Sequence, residues 1–119
     1  MTATTITIPA INTAKDRWGK WSSTSRVELA NSRQLKIRTS KNERGVLVTY
    51  ASVSVVRKED GVRIETFEVF GDYMKTVYAT QQKRVTGKTV EEQQRKALED
   101  LPYIVDNVKA FYAAKGIDL

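Results

Sequence analysis

Residues 46–57, VLVTYASVSVVR, constrain this chain more than any other stretch. They are rich in Val, Thr and Tyr and apolar on both faces, the pattern of a long strand in the middle of a sheet. Directly after them, Asp60-Gly61 marks a tight hairpin, because a type I′ turn needs positive φ at both central residues. Residues 62–70, VRIETFEVF, form the returning strand. Val62 and Ile64 share one parity and Phe67 and Val69 the other, which predicts a β-bulge near Glu65-Thr66.

Two more strands precede this hairpin. Arg26-Val27-Glu28-Leu29 puts Val27 and Leu29 on one face, and the Asn31-Ser32 region turns the chain. Leu35, Ile37 and Thr39 then share a face with Lys36, Arg38 and Ser40 opposite, a half-buried strand with a basic outer face. Lys41-Asn42-Glu43-Arg44-Gly45 is a polar turn. Further upstream, Thr4, Ile6 and Ile8 alternate weakly before Pro9, which suits an extended arm or edge strand. Residues 13–24, TAKDRWGKWSST, read as a loop carrying Trp18 and Trp21.

The C-terminal third has helical periodicity. Thr89-Val90-Glu91-Glu92 is a capping box with Thr89 as the expected cap, and Val90, Ala97, Leu98 and Leu101 share one side. Pro102 breaks that helix and Asp100 can cap the next. Ile104, Val105, Val108, Phe111 and Tyr112 make a second stripe, with Gly116 as the stop. Residues 72–85 fit either a strand or a helix capped by Asp72 and lined by Met74, Val77, Tyr78, Gln81 and Val85; spacing leans to the helix. The expected fold is therefore α+β: a four-stranded antiparallel β-meander over about residues 26–70 packed on helices over about 90–115. Residues 1–25 are expected as an extended arm and loop, and residues 26–119 as one domain.

Composition removes most chemistry. The 119 residues include no Cys and no His, which excludes disulfides, thiolate metal sites, cysteine nucleophiles and histidine acid–base catalysis. Thr86-Gly87-Lys88-Thr89 resembles the end of a phosphate-binding loop, but Gln82 stands where the first Gly is needed. The carboxylate pairs Glu59-Asp60, Glu91-Glu92 and Glu99-Asp100 are sequence neighbours on turns and helix ends and do not converge as an acid–base pair must. No cofactor, metal or catalytic residue is expected. No apolar run is long enough to span a bilayer, and the N-terminus lacks a signal-peptide pattern, so a cytoplasmic location with no membrane partner is expected.

What remains is charge. There are 20 Lys and Arg against 14 Asp and Glu, a net of +6, and its distribution is uneven. Residues 1–45 hold nine cations and three carboxylates, residues 72–89 four and one, and the remaining segments are slightly acidic. Aromatic residues interleave with the cations, the combination used on single-stranded nucleic acid, where cations track phosphates and rings stack on bases. The chain thus reads as a non-enzymatic nucleic-acid-binding protein, single strands favoured. The expected contacts are Lys36, Arg38, Lys41, Arg44, Lys83, Arg84 and Lys88 on phosphates, and Trp18, Trp21 or Tyr50 on bases. The alternative is a small protein-interaction module, such as a phage or mobile-element inhibitor or adaptor, steered onto an acidic protein surface. A homodimer is compatible with either, because a sheet with one bare face invites a second copy.

Overall fold

The computed structural model describes residues 8–66 and 73–119. Along the chain these residues form β1 (Asn12–Lys15), β2 (Trp21–Glu28), β3 (Arg33–Lys41), β4 (Val46–Glu59), β5 (Val62–Thr66), β6 (Met74–Gln81), α1 (Gly87–Leu98) and α2 (Leu101–Ala113). The strands form a single antiparallel sheet in the order β1-β2-β3-β4-β5, with β6 also paired to β4. The architecture is α+β, as expected, but the sheet holds more than four strands.

β4 is the spine. One of its edges pairs with β3 from Leu47 to Val55. The other edge serves two strands in succession: β6 runs along Val46–Ser52 and β5 along Val55–Glu59. A strand of 14 residues extends roughly 46 Å at about 3.3 Å per residue, enough for both. The β4–β5 turn takes the expected form, with Asp60 at φ 50° and Gly61 at φ 78°.

Three local expectations change. Residues 13–24 are not a loop, since β1 and the start of β2 pair there as a hairpin. Residues 74–81 are a strand rather than a helix. Their helical stripe would have left the β6-facing edge of β4 without hydrogen-bond partners, and a buried strand edge does not tolerate that. The register shift beside Thr49 and Tyr50, where Tyr78 and Thr76 are the partners, absorbs Val77 as an extra residue. Finally, the cap of α1 is Thr86, not Thr89. Thr86 is extended (φ −124°, ψ 173°), its hydroxyl accepts from the Thr89 N–H at 3.3 Å, and the Thr89 hydroxyl accepts from the Thr86 N–H at 3.4 Å. Glu92, the expected cap partner, lies 4.0 Å from the Lys88 ammonium instead. Asp100 does stand at the N-cap of α2, but its side chain makes no capping bond. The predicted bulge partners Phe67 and Val69, the cap Asp72, and Thr4 and Ile6 of the arm lie outside the described residues.

Both helices cover one face of the sheet, by different chemistry. The stripe of α2 and the end of α1 bury Leu98, Leu101, Ile104, Val105, Val108 and Tyr112 on Leu35, Ile37, Ala51 and Val53. Fully burying one such side chain stabilises the fold by roughly 1.5–3 kcal/mol. α1 instead sets two buried glutamines on the sheet. Gln94 accepts from the Thr39 hydroxyl at 2.7 Å and donates to the Ile37 carbonyl at 2.7 Å and to Ser25 Oγ at 3.1 Å. Gln93 donates to the Leu47 carbonyl at 3.0 Å and to Thr49 Oγ1 at 3.1 Å, and accepts from Thr80. This seam satisfies its own polar groups, as burial requires. Among the described residues no helix is long and apolar enough to cross a membrane.

Candidate nucleic-acid interface

Strand alternation assigns the opposite, helix-free face. With Leu35, Ile37 and Thr39 under the helices, Lys36, Arg38 and Ser40 must project the other way. Register then builds rows across the sheet: Ser22–Ser40–Val48–Ala79, Thr24–Arg38–Tyr50–Thr76 and Arg26–Lys36–Ser52–Met74. Directly opposed side chains in such rows have Cβ atoms about 4.5–5.5 Å apart. Arg38 is thus flanked by Thr24 and by the ring of Tyr50, which is half-buried.

Toward one end this face gains carboxylates. The Arg26 guanidinium lies 3.7 Å from Glu65, and that of Arg63 lies 3.1 Å from Glu28 and 3.9 Å from Glu65. These contacts join β2 to β5 across two intervening strands, so the sheet curls here. Lys36, Ser52, Ser54 and Glu65 line a cavity of about 100 Å³ in the curl. Beside it, Gln34 is buried and donates to Glu28 at 2.7 Å, while its own Oε1 has no hydrogen-bond partner.

The other expected contacts sit elsewhere. Trp21 has the parity of Ser23 and Ser25, so it lies on the helix side. Its ring packs against Gly87, where a Cβ would come within 3.0 Å of ring carbon Cζ3. Lys41 lies beside it; Gly19, Lys20, Trp21, Lys41 and Val85 line a cleft of about 190 Å³. Trp18 is at the β1–β2 hairpin tip, 74% exposed, with the Arg17 guanidinium 4.2 Å from its ring centroid. Arg44 stands in the β3–β4 turn, and Lys83 and Arg84 follow β6. Because Val46 pairs with Gln81, both segments leave from the same end of the sheet. Lys15 pairs with Trp21 and Lys41 with Leu47, which brings the hairpin tip to that end as well. Lys88 is in the first turn of α1, facing Glu92.

The structure therefore divides the expected residues. Lys36, Arg38 and Tyr50 come together on the helix-free face. Trp21, Lys41, Arg44, Lys83 and Arg84 gather at one end of the sheet, with Trp18 at the hairpin tip beside them. Arg26, Ser52 and Ser54 belong with the first group and were not singled out in the sequence. Their even-numbered parity with Lys36 and Arg38 was visible there, but the register that aligns them was not. Among the described residues no three acidic side chains converge into a metal-binding group.

Two tyrosines have raised pKa values. The Asp100 carboxylate beside Tyr78 is the largest cause there, followed by burial and by the hydrogen bond Tyr78 donates to Asp100 Oδ2 at 3.2 Å. Tyr73 is raised by burial. No protein-family model, curated protein or solved structure matches this chain.

Proposed function

We propose that the chain binds single-stranded nucleic acid across its helix-free face. The row Thr24–Arg38–Tyr50–Thr76 carries the reading: a cation next to a half-buried ring, flanked by hydroxyls, with no carboxylate in the row. Arg38 and Lys36 neutralise successive phosphates, Tyr50 offers its ring to a base, and Thr24, Thr76 and Ser52 supply hydroxyls to sugar or phosphate. Backbone recognition of this kind is salt-dependent, with a logarithmic slope of about −0.7 per phosphate neutralised on single strands. Fluorescence anisotropy with a labelled oligonucleotide at several salt concentrations tests the idea. Binding that weakens steeply with salt, and that falls further in Arg38→Gln, is expected. Absence of binding at low salt overturns it.

A second reading, protein interaction, is favoured by one observation. Among the described residues β6 has β4 as its strand partner, which leaves its outer edge open, and Lys75 is the one charged residue in its sequence MKTVYATQ. Met74 is 62% exposed at the start of that edge and Tyr103 of α2 is 75% exposed. An open, weakly charged edge is a template for a further strand. A second copy joined there is measurable by light scattering, and a monomer at all concentrations removes the homodimer.

A further inference from the structure

We propose that the cleft between the β1–β2 hairpin and the end of β3 is a second, separate subsite that takes one phosphodiester of a nucleic-acid strand leaving the helix-free face. This rests on the nucleic-acid reading and extends it from the sheet surface to its end.

The cleft is built from Lys20 and Lys41 over Trp21, closed by Val85. No carboxylate lines it. The nearest acid in sequence, Asp16, is held by the hairpin backbone, its Oδ1 accepting from the N–H of Trp18 at 2.9 Å and of Lys20 at 2.8 Å, and it is not part of the cleft lining. Lys15 adds a third cation, its ammonium 5.7 Å from the Trp21 ring centroid. The ion pairs among the described residues involve Arg26, Arg57, Arg63, Lys88 and Arg95, and none involves Lys15, Lys20 or Lys41. Lys20 and Lys41 in the lining and Lys15 beside the Trp21 ring outnumber the single carboxylate of the hairpin, so an anion in the cleft gains from a net positive field.

Size narrows the ligand. At about 190 Å³ the cleft is smaller than the roughly 300–1,000 Å³ of sites for whole small molecules. It suits a single group of a polymer. The Trp21 ring already has Gly87 packed against it and the Lys15 ammonium over it, so the phosphate, not a stacked base, is the group recognised. Arg44, Lys83 and Arg84 stand at the same end of the sheet, and give a strand a cationic path around it.

The test uses the full chain and a labelled oligothymidylate of about 20 nucleotides, long enough for both surfaces. Lys20→Gln/Lys41→Gln is expected to weaken binding about tenfold at low salt and to reduce the salt slope by about one. In a Trp18→Phe background, Trp21 is the remaining tryptophan. Its emission is expected to change on oligonucleotide binding, and to stop changing when both lysines are replaced. Unchanged affinity and slope in the double variant, or unchanged Trp21 emission, overturns the subsite. Lys36→Gln/Arg38→Gln separates the two ideas. If it weakens binding while the cleft variant does not, the face reading stands alone. If it leaves binding intact while the cleft variant weakens it, the face reading falls and the subsite stands. If the unmodified chain does not bind at low salt, both fall. Circular dichroism of each variant checks folding, and these exposed or half-buried lysines are not part of the core.

Discussion

The two ends of the sheet use similar residues in opposite ways. At the hairpin end, Lys15, Arg17, Lys20, Lys41, Arg44, Lys83 and Arg84 come from short segments that hold two carboxylates, Asp16 and Glu43, and Lys88 at the start of α1 faces Glu92. Apart from Lys88, none of these cations has an ion pair among the described residues. At the far end, Arg26, Arg57 and Arg63 are paired with Glu28, Glu59 and Glu65. The packing beneath differs too. Under the hairpin end the sheet meets α1 through Ser25, Thr39, Thr49, Gln93 and Gln94. Beneath the α2 side of the sheet the contact is apolar, with Leu35 and Val53 against Val105, Val108 and Tyr112. A net charge spread along a sequence thus becomes a polarised molecule, with a rigid apolar anchor at one end and a hydrogen-bonded, uncompensated cationic end at the other.

The apolar anchor is expected to carry most of the stability. Leu35→Ala, at a fully buried position, is expected to cost about 2–5 kcal/mol in urea unfolding. Gln94→Ala is expected to cost less, about 1–3 kcal/mol, because it leaves the Thr39 hydroxyl, the Ser25 hydroxyl and the Ile37 carbonyl without that partner. If Gln94→Ala proves costlier than Leu35→Ala, the polar seam rather than the apolar layer is the anchor, and the comparison inverts. Arg63→Gln removes a pair whose partners are largely exposed, and is expected to move stability by no more than about 1 kcal/mol. A larger loss would mean that the curled end depends on its ion pairs.

The smallest effect concerns Tyr78, which ties β6 to Asp100 at the junction of the helices. Its folded pKa is raised above the ordinary value of 10.0, chiefly by Asp100. Below pH 10 the phenol is neutral in both the folded and the unfolded chain, and the stabilisation is complete. Above it the unfolded chain releases its proton first, so stability falls as pH rises through the folded value. Tyr78→Phe is expected to flatten that alkaline decline in thermal melts between neutral and high pH. An unchanged profile would place the alkaline sensitivity elsewhere.

Legibility in the sequence followed the range of the forces involved. The long central strand, the Asp60-Gly61 hairpin, both helical stripes and the alternation of Lys36 and Arg38 against Leu35 and Ile37 are local patterns, and each is present in the structure. The strand at 74–81 was misread because its residues satisfy both a helical and an extended pattern, and only the free edge of β4 chooses between them. Gln93 and Gln94 are buried, and nothing local in a sequence marks a glutamine as buried. The candidate site was half legible. Parity named Lys36 and Arg38, and Tyr50 was named as an aromatic among the cations, while Trp21 and Lys41 face the helix side.

By itself the sequence determined that this chain is an α+β protein without Cys or His, basic in its first third and around residues 72–89, with a strand at 46–57 too apolar to lie anywhere but mid-sheet. Those properties depend on residue type and on spacing over a few positions. Only the tertiary structure decided which strands share an edge, which end of the sheet collects the cations, and which of them meet a carboxylate. Pairing register joins residues many positions apart, and a charge is compensated or not according to what lies a few ångströms away across strands, a distance that no local spacing encodes.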